Sequence, residues 1–298
     1  MLSNCTFASD ATLNRTPRPP ELSHTPNLPS GQSAREPRVL TLTEPRDIAG
    51  HLQALADDTI RAIRVPSWRT AEECTRAIEA LGACIDDTYA QERSLGKGGV
   101  TVYDFEGDEA GADEYFARAK NWNGTPRRLM RPYGFGPDLA AGILSETHPG
   151  GVMPEQLRPG SEPCMGIIRE FRCGSRAGPH LDRTDWDWPS NAAAATHLAL
   201  FSFLEYHSVA ALGGELVLYG DRLSREEWTQ ARLSTSLYEI SRETLSKDPV
   251  VITPERGELI IFDAHRVHEV REILIGVRHT ASCFFAWRGP QAPLGRFA

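Results

Sequence analysis

The stretch GPHLDRTDWDW, residues 178–188, sets a histidine and an aspartate one residue apart and follows them with two tryptophans and two more aspartates. If residues 180 to 182 are extended, positions i and i+2 point to one face, so His180 and Asp182 stand side by side while Leu181 packs the other way. Together they offer a metal one imidazole and one carboxylate. A third ligand has to come from elsewhere. His268, in DAHRVHEV (263–270) just past the apolar run GELIIFDA (257–264), is in position to arrive from a neighbouring strand or the turn after it, with His265 as its competitor.

The chain around this pair reads as β-structure. Short runs MGIIREFRC (165–173), HLALFSFLEYH (197–207), GELVLYG (214–220), PVVITP (249–254), GELIIFDA and RHTASCFFAWRG (278–289) are punctuated by Gly and Pro. So many short strands in one block favour a sandwich, barrel or jelly roll. The segment 221–244 between the third and fourth runs has helical propensity but a confused period, and reads as a mixed connection.

The N-terminal half is different. Residues 1–37 are rich in Pro, Ser, Thr, Asn and Arg without a sustained apolar period, and are expected to be a disordered tail. From residue 38 a single folded domain is expected, with helical support over 38–162 and the strand-rich core over 163–289. RVLTLTEP (38–45) begins it as a short strand, DIAGHLQALADDTI (47–60) has helical spacing, and IRAIRVPSW (60–68) reads as a strand. RTAEECTRAIEALGACI (69–85) predicts a helix with Thr70 as N-cap, and residues 107–122 another. Residues 123–163, thick with Pro and Gly, predict loops and one short helix forming a lid or rim.

Composition bounds the function. A formal charge of −8 with scattered basic residues lacks the attraction that phosphate backbones require, so nucleic acid is not an expected partner. No run of about eighteen apolar residues suggests a membrane span, and the first twenty residues do not resemble a secretory signal; a cytoplasmic protein is expected. The six cysteines form no CxxC pair, which suits reduced thiols rather than zinc fingers.

Two histidines and a carboxylate on one face of an iron leave three positions open, the facial-triad pattern of non-haem Fe(II) chemistry. The same donors also suit hydrolytic zinc, although no HExxH spacing accompanies them. Further motifs bear on the choice. FRCGSRAGPHLD (171–182) carries Phe171, Gly174, His180 and Asp182, and GGEL (213–216) follows. RGELIIFDAHRVHEV (256–270) is a Gly-Glu strand ending in Phe and then His-x-Val, and GVRHT (276–280) carries Gly276, Arg278 and Thr280.

At these intervals the chain resembles the 2-oxoglutarate and Fe(II)-dependent dioxygenases, in their prolyl-4-hydroxylase-like branch, clearly over residues 163–288 and more loosely from residue 58. The resemblance implies an α+β fold with a double-stranded β-helix (jelly-roll, cupin-like) core flanked by N-terminal helices. It implies Fe(II) held by His180, Asp182 and His268, with 2-oxoglutarate and O2 as cosubstrates. Arg278 would pair with the distal carboxylate of 2-oxoglutarate, assisted by Thr280, as a guanidinium fork matches a carboxylate. His268, ten residues before Arg278 and in the His-x-Val context, is favoured over His265. Where relatives often have Tyr this chain has Phe171, so another group has to supply that hydroxyl's contact, from Arg169 or from residues 196–204. Halogenating relatives replace the ligand carboxylate by a small residue, whereas Asp182 is present.

For the primary substrate, the segment after the HxD pair points to Arg183, Asp185, Trp186, Asp187 and Trp188 at the mouth of the site, weighed against an ordinary polar turn with Trp on the core. Asp185 or Asp187 would complement an amine; Arg131, Tyr133 and Arg169 would serve a carboxylate. The expected reaction is oxidation, by preference hydroxylation, of an unactivated C–H bond in a small molecule such as an amino acid or natural-product intermediate. The alternatives are a hydroxylase of a peptide or protein side chain and, from another class, a non-catalytic cupin-like metal-binding protein.

Overall fold

The structure, a computed structural model, describes residues 38–298 except 86, 90–91 and 106–108. The expectation for residues 1–37 therefore lies outside the described residues.

Eight strands frame the region of interest, and we number them β1 (Ile167–Phe171), β2 (Ala177–His180), β3 (Ala199–Ser208), β4 (Leu216–Leu218), β5 (Val250–Ile252), β6 (Leu259–Asp263), β7 (His268–Val270) and β8 (Arg278–Trp287). They divide between two sheets. The larger runs β6-β3-β8-β1 and is extended on the β6 side by Ala62–Val65 and Val39–Thr41, and on the β1 side by Glu92–Gly98 and Asp87–Tyr89. The smaller runs β5-β4-β7-β2, and all pairs among the eight are antiparallel.

The long pair β3 and β8 serves two cores at once, which is why HLALFSFLEY shows no polar face. Leu200, Leu204, Tyr206, Phe284 and Ala286 share a buried cluster with Leu216, Leu218 and Ile252 of the smaller sheet. Their neighbours Phe201, Phe203, Cys283, Phe285 and Trp287 cluster instead with Ile48, Leu52, Leu55, Ala140 and Leu144 from the N-terminal turns and helices. Alternation across the pleat thus makes an inner face toward the smaller sheet and an outer face covered by helices.

The helix Ala71–Gly82 begins at Thr70, whose Oγ1 accepts from the Glu73 amide at 3.2 Å while Glu73 Oε2 accepts from the Thr70 amide at 2.8 Å. This reciprocal cap satisfies two donors that the first turn leaves orphaned. The helix packs its Ala77 and Leu81 with Met130, Phe135, Ile168 and Ala281 against the outer face.

Residues 123–163 differ from the sequence expectation. They hold two helices, Gly124–Leu129 and Gly136–Thr147, and a strand Val152–Pro154. Pro137 stands in the first turn of the second helix, where its missing N–H costs no hydrogen bond, so it starts a helix rather than breaking one. The connection 221–244 resolves into a helix Arg225–Ala231 and a single 3-10 turn Arg242–Thr244. Among the described residues no helix is long and apolar enough to cross a membrane.

Candidate metal centre

His180 is the last residue of β2 and pairs directly with His268, the first of β7. Asp182 follows two residues on, fixed by its amide donating to the Ala264 carbonyl at 2.9 Å. The three side chains present ligand atoms within 4.8 Å of one another. His268 Nε2 lies 3.6 Å from Asp182 Oδ2, and the two imidazole centroids are 4.3 Å apart. Each ring turns its Nδ1 to a main-chain carbonyl two residues earlier, Gly178 at 2.7 Å and Arg266 at 2.9 Å. A protonated Nδ1 there leaves the Nε2 lone pair aimed into the gap, the arrangement that metal-ligating histidines need.

The electrostatics point the same way. Burial pushes the Asp182 carboxyl up, with His180 and then Arg169 pulling against it, and burial followed by the charge of His180 drives His268 well below the usual imidazole value. A partly desolvated carboxylate beside two imidazoles is a good ligand set for a dication, whose charge reverses that desolvation penalty.

His265 is not in this group. It is buried, its Nδ1 accepting from Arg222 Nη2 at 3.1 Å.

Arg278 opens β8 on the inner face of the larger sheet. Its guanidinium lies between the rings of Phe171 and Tyr206, 4.8 and 4.7 Å from their centroids. Nη1 donates to the Gly214 carbonyl and Nη2 to the Tyr206 hydroxyl, both at 3.3 Å. Two donors remain unanswered: Arg278 Nε and Thr280 Oγ1 are buried and have no hydrogen-bond partner among the described residues. Buried polar groups of this kind are rare unless something else satisfies them. On the strand anticipated for that hydroxyl, but two residues past the 196–204 range, the Tyr206 hydroxyl accepts from Arg278. Phe171 keeps only the ring contact.

Of the residues expected at the substrate mouth, some are elsewhere. Arg131 is exposed, and its neighbours Met130 and Tyr133 pack with Ile168 and Ala281, so its loop covers the outer face and does not approach the inner one. The Tyr133 hydroxyl donates to Glu72 at 2.7 Å. Asp185 accepts both Nε and Nη2 of Arg183, at 2.8 and 2.7 Å, so its charge is matched from within its own turn. Trp186 lies under the Arg183 guanidinium and beside Trp228, and Trp188 packs on Phe116. Asp187 is exposed, yet desolvation and then the charges of Asp182 and Asp185 push its carboxyl up to about 7.

Arg169 is on the inner face, its Nη1 donating to Ser282 Oγ at 2.9 Å.

Besides Tyr206, two groups escaped the sequence reading. Tyr103 has its hydroxyl 3.4 Å from Thr184 Oγ1 and its ring edge-on to Phe284. Buried Lys97 is paired with Asp104. The pattern Thr101-x-x-Asp104, a capping box, was the available signal for a turn at Val102–Asp104.

No family model matches the chain, and no curated protein matches it in sequence. Solved structures do. An N-substituted L-amino acid dioxygenase from Burkholderia ambifaria AMMD superposes with a TM-score of 0.59 at 15% identity, covering 84% of this chain and 91% of the other. Its complex with alpha-KG gives 0.57 at 16% identity over the same shares. At such low identity the likeness speaks for architecture, and on it this chain has the fold of that dioxygenase, with a His-Asp-His group among its described residues.

Proposed function

We propose that the protein is an Fe(II)- and 2-oxoglutarate-dependent dioxygenase whose eight strands form a double-stranded β-helix. The strand orders β6-β3-β8-β1 and β5-β4-β7-β2 support that architecture. The observation that carries the activity is the pair of buried, unanswered donors, Arg278 Nε and Thr280 Oγ1, on the same inner face toward which the His-Asp-His group points. A protein that only bound a metal has no use for a desolvated guanidinium there, whereas a dianionic cosubstrate supplies the missing acceptors.

In this reading His180, Asp182 and His268 hold the iron. Arg278 and Thr280 receive the distal carboxylate of 2-oxoglutarate, and Tyr206 fixes the guanidinium's orientation. Iron bound there supplies the oxidative chemistry, in which 2-oxoglutarate and O2 become succinate and CO2 while a C–H bond of the substrate is hydroxylated. The chain's own share is orientation and dryness. Phe262, whose ring meets His268 at 4.8 Å, and Phe284 with Tyr103 wall the pocket against water.

For the substrate we favour a small molecule of the amino-acid class, supported by the dioxygenase for N-substituted L-amino acids that shares the fold. The test is succinate formation by anaerobically purified protein supplied with Fe(II), 2-oxoglutarate and O2, with and without pools of amino acids and their N-substituted forms. Succinate stimulated by a pool and abolished in Asp182→Ala is the expected result. Failure of the iron-loaded protein to bind 2-oxoglutarate sinks the reading.

A further inference from the structure

One carboxylate beside the ligand group is not used by this reading. The turn Thr184–Asp187 follows the ligand Asp182 almost directly, and it is closed by the Asp187 and Trp188 amides donating to the Arg183 and Thr184 carbonyls at 3.1 and 2.8 Å. Residues three apart on a helical turn share a side. Asp187 therefore shares its side with Thr184, which is fully buried with its hydroxyl 3.4 Å from that of Tyr103. Tyr103 in turn meets Phe284 edge-on. Asp185 and Trp186 belong to the other side, where Arg183 answers the first and covers the second. In keeping with this placement, the charge of Asp187 reaches both Asp182 and Tyr103.

The Asp187 side chain makes no hydrogen bond or ion pair among the described residues, and it stands outside the group formed by His180, Asp182 and His268. The cation that acts on it is Arg225, which lies beyond ion-pair distance on the helix Arg225–Ala231. That helix approaches the turn through Trp228, 5.8 Å from Trp186, and Arg225, three residues earlier, is on the same side. Solvent reaches Asp187, yet protein surrounds it closely enough to desolvate it, as at the wall of a cleft. A carboxylate so placed, repelled by Asp182 and Asp185, gains from a cation that enters with the substrate. The sequence offered Asp185 and Asp187 alike as complements of an amine, and the bidentate contact with Arg183 removes Asp185. We propose that Asp187 receives the ammonium group of the primary substrate, so that the pocket takes free α-amino acids rather than their N-acylated forms. This rests on the dioxygenase reading above and narrows its amino-acid class. An ammonium brings three donors, and a carboxylate accepts from it in a charge-assisted pair.

The test uses the full chain loaded anaerobically with Fe(II) and 2-oxoglutarate and titrated by calorimetry with the common L-amino acids, each beside its Nα-acetyl derivative. Acetylation removes the positive charge and keeps the carboxylate and the side chain. We expect a free amino acid to bind the wild type about ten- to a hundredfold more tightly than its acetyl derivative, the worth of a charge-assisted hydrogen-bonded pair. Asp187→Asn should abolish that preference and leave iron and 2-oxoglutarate affinity unchanged. Asp187→Glu, which keeps the charge on a longer arm, should retain part of it. No binding by any free amino acid, equal or tighter binding of the acetyl forms, or an unchanged preference in Asp187→Asn would overturn the proposal. So would loss of iron affinity in that variant, which would assign Asp187 to the metal centre. A wild type that binds no 2-oxoglutarate removes the dioxygenase reading and this proposal with it, a separate result read before any amino acid is added.

Discussion

His180 and His268 each turn Nδ1 to the carbonyl two residues before them, so the backbone sets much of their ligand geometry. Removing a donor should then abolish metal binding without disturbing the strands. We expect Asp182→Ala and His268→Ala to lose Fe(II) binding in anaerobic titrations, while Arg278→Gln keeps iron and loses 2-oxoglutarate affinity by about tenfold or more. The His180–Asp182 pair was legible in the sequence because a spacing of two is a local fact, and any extended backbone puts such residues on one face, whereas His268 was preferred to His265 through the family resemblance. Arg131 was misread because the face a loop covers is decided by distant packing, here Met130 against Ile168 and Ala281. Tyr206 was missed for a related reason: β3 is buried on both sides, so alternation marks no inner face and its aromatic residues look alike.

At the scale of elements, the helix Ala71–Gly82 and the strand β3 meet through a buried polar group. Glu205 accepts from Arg69 Nε at 2.9 Å and Trp68 Nε1 at 3.2 Å, and lies 2.8 Å from His207 Nε2. Burial alone would raise its pKa, but His207, Arg69 and Trp68 outweigh burial and bring it down to about 2. A carboxyl with a folded pKa below its unfolded value contributes stability that is present above about 4.5 and is lost as pH falls towards 2. The contribution is on the order of 3 kcal/mol. Acid denaturation followed by circular dichroism should show a steep loss in that window, flattened in Glu205→Gln, which is also less stable at neutral pH. The capping box gives a second check: Thr70→Ala should cost about 1 kcal/mol with iron affinity unchanged, since the helix lies on the outer face. That helix was readable from Thr70, its acidic first turn and Gly82. In 123–163 one short helix was expected where two form, because Pro and Gly counts do not tell a first-turn proline from a breaker.

For the whole molecule, the proposed ligands and anchor belong to different sheets. His180 and His268 lie on β2 and β7 of the smaller sheet, whereas Arg278 and Thr280 lie on β8 of the larger. Iron alone would therefore tie together residues of one sheet and its following turn, whereas 2-oxoglutarate held between iron and Arg278, as proposed, would bridge the two. Anything that binds the native state and not the unfolded chain stabilises by mass action, about 2.7 kcal/mol at a hundred times its Kd. For a domain of this size that raises the melting temperature by roughly 5–10 °C. Thermal melts under argon should show two increments in the wild type, one with Fe(II) and a further one with 2-oxoglutarate. Arg278→Gln should keep the first and lose most of the second, while Asp182→Ala loses both. A second increment that survives in Arg278→Gln would mean that the cosubstrate is held by the smaller sheet alone, and that the unanswered donors on β8 serve some other ligand.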